Sequence, residues 1–198
     1  MKALIIVDMQ NDFLPDGSLA VENGNAIIPK INSIQANYEL VVATQDWHPK
    51  NHKSFITQHP NNRVFDQIQL EGLKQTLWPE HCVQGTQGAE FSSLLNQNSI
   101  EAIFRKGMDE NIDSYSGFFD NGKKKSTALG DYLRAKNIKE VHICGLAADF
   151  CVYYTAKDAL ELGYNTSIVE NATLAINPHD FNDKKRYFQE EGGKIIQL

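Results

Sequence analysis

Short, β-branched apolar runs recur along the chain at KALIIVD (2–8), ELVVAT (39–44), EAIFRK (101–106), EVHICGL (140–146), NTSIVEN (165–171) and KIIQL (194–198). They are continuous rather than alternating, the pattern of strands covered on both faces of a sheet. Helical periodicity fills the intervals. In AIIPKINSIQAN, Ile27, Ile31 and Ile34 share one face, and Pro29 fits only a first turn. In STALGDYLRAKN, Leu129, Tyr132 and Leu133 form the stripe, with Ser126 as the expected cap. In CVYYTAKDALELG, Val152, Ala156, Ala159 and Leu160 face one way and Gly163 supplies the stop, while HDFNDKKRYFQEEGG predicts a last helix. Strand–helix alternation of this kind predicts an α/β fold, a three-layer α/β/α sandwich around a mostly parallel six-stranded sheet.

No repeat, low-complexity tract or Ser/Gly/Pro linker divides the chain, so residues 1–198 are expected to form one domain. Residues 45–98 break the rhythm, with two proline-flanked histidine sites and little periodicity. A long irregular insertion in a compact domain points to function.

Composition narrows the function classes. At 41% apolar and 22% charged residues the chain reads as an ordinary folded protein, and its net charge of -6 argues against nucleic acid or an anionic membrane as main partner. The lysine run at 123–125 sits between NG and ST and reads as a solvated turn. Three cysteines, without CxxC, predict no disulfide framework. The apolar stretch near the N-terminus is too short for a signal peptide, so a reducing, cytoplasmic compartment is the expectation.

Ligands of parallel sheets bind outside the carboxyl ends of the strands, where strand order reverses. The polar residues at those ends are Asp8, then Asp46 and His48, then Lys106, then GLAADFC, which delivers Cys151 to a helix start. A helix N-terminus and a cation such as Lys106 both lower a thiol pKa, and Asp8 is placed to take the thiol proton and pass it to a leaving amine. The small residues of GLAAD leave backbone N–H groups accessible to a developing oxyanion. The competing reading is that Cys151 is a buried small hydrophobe, as Cys144 within VHIC is expected to be; Cys82 is ambiguous, with the core reading favoured. Asp8 alone could cap a turn, and Lys106 alone could be exposed.

The stretch TQDWHPKNHKSF (44–55) places Asp46 and His48 two residues apart, and His81 in WPEHC offers a third ligand. Two imidazoles and one carboxylate leave coordination positions open, which suits Zn²⁺ or Fe²⁺ in a reactive site. No fixed spacing such as HExxH is present, so a surface histidine cluster stands as the alternative, and His52 stays undecided between ligand and packing residue.

Taken together, DMQNDF (8–13), TQDWHPKNHKSF (44–55), WPEHCVQGTQGAEF (78–91), FRKGMDENIDSYSGFFDN (104–121) and GLAADFCVYYTAKDALELG (145–163) resemble nicotinamidases, within the isochorismatase-like cysteine hydrolases, in order along nearly the whole chain. The resemblance implies a catalytic triad of Asp8, Lys106 and Cys151 and a metal held by Asp46, His48 and His81, zinc first, with iron or manganese as alternatives. It further implies a pyridine ring enclosed by Phe13, Trp78 and Tyr115, and oxyanion donors at the N–H groups of Ala147 and Cys151. A cis peptide between Ala147 and Ala148 belongs to the same set. The implied activity is hydrolysis of nicotinamide, in NAD salvage; pyrazinamide is a second substrate by the same token. Members are variously monomeric and oligomeric, so a homo-oligomer is allowed.

Three rivals remain on the sequence. A superfamily amidase acting on a ureido or carbamoyl substrate would not need the ring-orienting metal. A nucleotide-binding module would need a glycine-rich loop after the first strand, and DMQNDFLPDG supplies no GxGxxG. A metal-storage or interaction protein would bind metal without amidase activity.

Overall fold

A computed structural model describes residues 1–198. Eight strands form: β1 (Lys2–Val7), β2 (Leu40–Asp46), β3 (Gln67–Leu70), β4 (Leu73–Thr76), β5 (Ile100–Lys106), β6 (Glu140–Gly145), β7 (Asn165–Thr173) and β8 (Lys194–Ile196). Six build one sheet in the order β5-β2-β1-β6-β7-β8, and every neighbouring pair is parallel. The chain runs outward from β1 through β2 to β5, then returns to β6 on the other side of β1 and runs outward again. Strand order therefore reverses between β1 and β6.

Four helices cover the sheet: α1 (Ile28–Ile34), α2 (Leu129–Ala135), α3 (Tyr153–Glu161) and α4 (Pro178–Glu190). Alternation along β1 decides the layers. Leu4 and Ile6 join α1's Ile28, Ile31 and Ile34 in one core; Ala3, Ile5 and Val7 join Leu129, Leu133, Ala156, Ala159 and Phe188 in the other. Pro29 occupies α1's first turn, as its missing N–H requires.

Two local expectations are corrected. Ser126 does not cap α2: the helix starts at Leu129 after Ala128 in a left-handed conformation, and Ser126 Oγ accepts the Ala128 N–H instead. β5 is not covered on both faces. As an edge strand it alternates, with Ile103 48% exposed. Lys123 of the 123–125 turn pairs with Asp158 and Glu161, and Lys125 with Asp109, so that turn is tied down by ion pairs.

The stretch from 47 to 99 lies over the carboxyl ends of β1, β2 and β5. It contains the β3–β4 hairpin, whose turn residues Glu71 and Gly72 both have positive φ, the geometry a two-residue hairpin needs. Isolated bridges His48–Val83 and Phe55–Trp78 close the stretch on itself, and Gln10–Phe91 ties it to the segment after β1.

Candidate active site

The β2–β5 register pairs Asp46 with Lys106. Both are last residues of their strands, so a carboxylate and an ammonium meet at the sheet's edge by construction. Asp8 follows β1 in a left-handed conformation (φ 48), a cost of roughly 1–3 kcal/mol for a non-glycine residue held by its surroundings. Its N–H donates to Thr44 O at 3.3 Å, and the Thr44 hydroxyl donates to Asp8 Oδ1 at 2.6 Å. Gly145 ends β6 at φ 109, and a Cβ there would lie 2.1 Å from Val7 O; only glycine lets β6 close against β1 at the reversal point. Beyond it the chain makes a π-helical turn, Ala148–Val152, that leads into α3 and carries Cys151.

These tips converge. Lys106 Nζ lies 2.8 Å from Asp8 Oδ2, 3.0 Å from Asp46 Oδ1 and 3.4 Å from Cys151 Sγ, and donates to Ser114 O at 3.0 Å. All five residues are at most 7% exposed. Burial opposes the lysine's charge, but Asp46 and Asp8 outweigh it and hold the ammonium well above its ordinary pKa. Burial raises the Asp8 carboxyl, with Lys106 pulling against it. Burial also pushes the Cys151 thiol well up, more than Lys106 offsets, which differs from the depressed value expected from a helix start and a cation alone. In this desolvated state the proton stays on sulfur.

Asp46 spends its other oxygen on the histidines. Oδ2 lies 3.1 Å from His48 Nε2 and 3.5 Å from His81 Nε2, and one potential ligand atom from each of the three lies within 4.8 Å of the others. His48 Nδ1 faces Gly107 O at 2.9 Å and His81 Nδ1 faces Pro79 O at 2.8 Å. A carbonyl only accepts, so both rings carry their proton on Nδ1 and turn the Nε2 lone pair to the cluster. His48 Nε2 is buried without a hydrogen-bond partner. Burial lowers the His48 pKa, yet Asp46 overrides it and raises the value. Burial would raise Asp46, but His48 and Lys106 hold it well below the usual carboxylate range. Two lone pairs, one carboxylate oxygen and the Gly107 and Pro79 carbonyls that hold both rings fit a divalent cation. Gly107 makes room: at φ 67, a Cβ would lie 2.4 Å from the His48 ring.

Phe13, Trp78 and Tyr115 line one cleft with Asp46, His81, Ala147 and Cys151. Trp78 and Tyr115 meet edge to face at 6.2 Å, and Trp78 Nε1 donates to Tyr115 Oη at 3.3 Å. The Ala147 N–H has no acceptor in the protein, while its carbonyl accepts from Phe150 and Val152. The cis peptide lies between Leu146 and Ala147, one residue before the expected Ala147–Ala148 bond.

Several site residues escaped sequence reasoning. Phe150 lines the cleft and stands 4.9 Å from Trp78 and 5.4 Å from Tyr115; its place beside Cys151 in GLAADFC was the available signal. Gln10 grips the Asp46 backbone at both ends, its Nε2 donating to Asp46 O at 2.8 Å and its Oε1 accepting from Asp46 N at 2.7 Å. Asp113 enters the cleft and accepts from Gln75 of β4 at 3.0 Å; nothing local in the sequence pairs those two.

The isochorismatase domain model matches residues 2–197. The chain is 45% identical over 180 residues to a nicotinamidase of Escherichia coli (strain K12), covering 89% of this chain and 84% of the relative. Among solved structures, an Acinetobacter baumanii nicotinamidase pyrazinamidase superposes with a TM-score of 0.96 at 43% identity, covering 99% of this chain and 95% of its own. A Pyrococcus horikoshii pyrazinamidase in complex with zinc gives 0.82 at 37% identity, covering 100% and 99%. With the domain model spanning nearly the whole chain and the six-stranded parallel sheet superposing on those neighbours, this chain belongs to the isochorismatase family, as an amidohydrolase of its nicotinamidase group.

Proposed function

We propose that the protein hydrolyses nicotinamide to nicotinate and ammonia through a thioester on Cys151. The observation that carries this reading is the position of Lys106 Nζ, in simultaneous contact with Asp8, Asp46 and Cys151 Sγ behind a cleft walled by aromatics, which Asp46 and Cys151 line. A nucleophile, a proton acceptor and a fixed cation meet beside a largely apolar cleft.

Asp46, His48 and His81 are the residues that would hold a divalent cation, zinc by the donor set, which supplies an electrophilic anchor for a pyridine nitrogen. Phe13, Trp78 and Tyr115 enclose the ring and leave its carboxamide over Cys151. The sulfur attacks the carbonyl carbon as the thiol proton passes to Asp8, whose raised proton affinity suits that transfer. Negative charge on the former carbonyl oxygen is received by the N–H groups of Ala147 and Cys151. Asp8 returns its proton to the departing nitrogen, ammonia leaves, and the C–N bond is replaced by C–S. Asp8 then deprotonates water, which attacks the thioester; the C–S bond breaks, nicotinate forms, and sulfur regains its proton. Lys106 keeps its charge throughout and holds Asp8 in place.

In this reading the whole chain is one catalytic unit, and its 45–98 insertion carries the metal ligands Asp46, His48 and His81 and, of the ring-binding residues, Trp78. The product places the enzyme in NAD salvage, and the free thiols fit a reducing cytoplasm. Pyrazinamide, which keeps the ring and the carboxamide, is a second substrate.

Ammonia release from nicotinamide measures the claim. Cys151→Ala is expected to lower kcat by on the order of 10⁴-fold or more with the fold retained. Activity surviving in that variant, or absent from the parent with zinc supplied, overturns the reading.

A further inference from the structure

The cleft that holds Cys151 is nearly closed. Its free space is about 20 Å³, room for one or two water molecules and far less than a pyridine ring with a carboxamide needs. Next to it lies a second cleft of about 300 Å³, and Trp78, Phe150 and Ile176 line both. Those three side chains are therefore the partition between the two spaces, and a flat ring must displace part of it to reach the sulfur.

Two of the three are tethered. Trp78 is 4% exposed, and its Nε1 donates to Tyr115 Oη, which also accepts from Gln75 Nε2 at 3.1 Å. Ile176 is pinned through its backbone: its N–H donates to Asp149 Oδ1 at 2.9 Å, and the Asn177 N–H donates to Oδ2 of the same carboxylate at 2.8 Å. Phe150 is half-buried, has no polar side-chain atom to tether it, and meets Trp78 and Tyr115 edge to face. Lys184 of α4 stands over its ring. The Lys184 Nζ lies 4.7 Å from the Phe150 centroid and 5.4 and 5.5 Å from those of Tyr154 and Tyr153, and it donates to Asp149 O at 2.5 Å. The carbonyl thus anchors the ammonium one residue before the ring that it covers, and the ring's quadrupole attracts the charge. Lys184 lines neither cleft, so it reaches a ligand only through Phe150.

From this arrangement we infer that Phe150 is the door of the catalytic cleft, the residue that decides which rings reach Cys151, and that Lys184 is a positioning residue that holds the door shut. A ring binds the open position, so the apparent affinity is the intrinsic one multiplied by the fraction of molecules whose door is open. Loosening the latch therefore tightens binding, the opposite of what losing a ligand contact or a structural brace does.

Two probes test the door; nicotinamide rests on the function proposed above, and a thiol reagent does not. The reagent is dithiodipyridine, a disulfide between two flat rings. Cys151 sulfur attacks one of its sulfurs, a protein–pyridyl disulfide forms, and the other half leaves as thiopyridine with the thiol proton; absorbance follows the release, and Cys151→Ala subtracts any reaction of Cys82 and Cys144. Lys184→Met keeps the apolar stem without the charge. It is expected to raise the Cys151 rate roughly 2- to 30-fold, the range that a cation–ring contact spans. It is expected to raise kcat/KM for nicotinamide by a similar factor, through KM. Phe150→Ala is expected to raise the thiol rate at least as far, and Lys184→Met to add nothing in that background, because the latch acts through the ring. The same variant is expected to favour a ring-phenylated nicotinamide over nicotinamide by roughly tenfold or more relative to the parent. An unchanged or slower thiol reaction in Lys184→Met, a fall in its kcat/KM, or gains that add in the double variant overturns the door. Thiol rates that follow the expected pattern in a protein that leaves nicotinamide intact support the door and overturn the proposed substrate alone.

Discussion

At the edge where the strands begin, Tyr38 Oη bonds to His142 Nδ1 at 2.9 Å, and His142 Nε2 bonds to Glu140 Oε1 at 2.9 Å. Each polar atom of that chain has a partner, and Glu140 reaches solvent. At the edge where the strands end, Lys106 is shared among four groups, Asp8 Oδ2 has only its 2.8 Å ion pair with that ammonium, and His48 Nε2 and His52 Nε2 are buried without hydrogen bonds. The same sheet carries both, so the difference is not a matter of fold. Unmet hydrogen-bonding capacity is concentrated where a ligand can complete it; away from this edge a single buried side-chain atom, Gln35 Oε1, lacks a partner.

The sharpest way to break the comparison is to remove one charge at each edge. Lys106→Ala strands two buried carboxylates and is expected to cost about 3–5 kcal/mol in urea denaturation, with activity lost as well. Lys136→Ala removes an exposed ion pair with Glu101 near the start of β5 and is expected to leave the midpoint unchanged. Equal losses at the two edges would mean that the strand-end cluster holds no special electrostatic load.

A smaller effect sharpens the comparison at one atom. Gly107→Ala places a methyl group 2.4 Å from His48 on a backbone at φ 67. The expected outcome is a loss of about 1–3 kcal/mol in stability and roughly 10–100-fold weaker zinc binding, measured against a chelating dye. Unchanged zinc affinity would show that His48 is not positioned by the Gly107 carbonyl.

How much of this was legible in the sequence follows the same divide. Strands β1, β2, β5, β6, β7 and β8 were readable because burial on a sheet leaves an apolar run, and their tips gave Asp8, Asp46, Lys106 and Cys151 directly. The hairpin was missed although QIQLEGLKQT carries alternation around a Glu-Gly turn, because its mostly exposed pattern has little hydrophobic contrast. Gln10, Asp113 and Phe150 gain their roles from partners 36, 38 and 72 positions away, a pairing that only the folded chain makes. The direction of the Cys151 shift was misjudged for a related reason. Lys106 and the helix start are visible in the sequence, but the depth of burial that outweighs them is a property of the whole assembly.

The smallest effect tests the closed edge by itself. Burial lowers the His142 pKa from its ordinary value, against the opposing pull of Glu140. The folded ring therefore binds a proton less readily than the unfolded chain does. Above pH 6.5, the ring's reference value, both states are neutral and the contribution to stability is fully present. As pH falls below it, the unfolded chain gains a proton first, and stability declines until the folded ring titrates as well. His142→Asn is expected to flatten this shallow acid limb of a Tm-against-pH curve while leaving nicotinamide hydrolysis unchanged, because no part of the Tyr38–His142–Glu140 chain lines the cleft. A variant that changed kcat without changing the limb would link the two edges, and the contrast between a finished end of the sheet and an open one would fail.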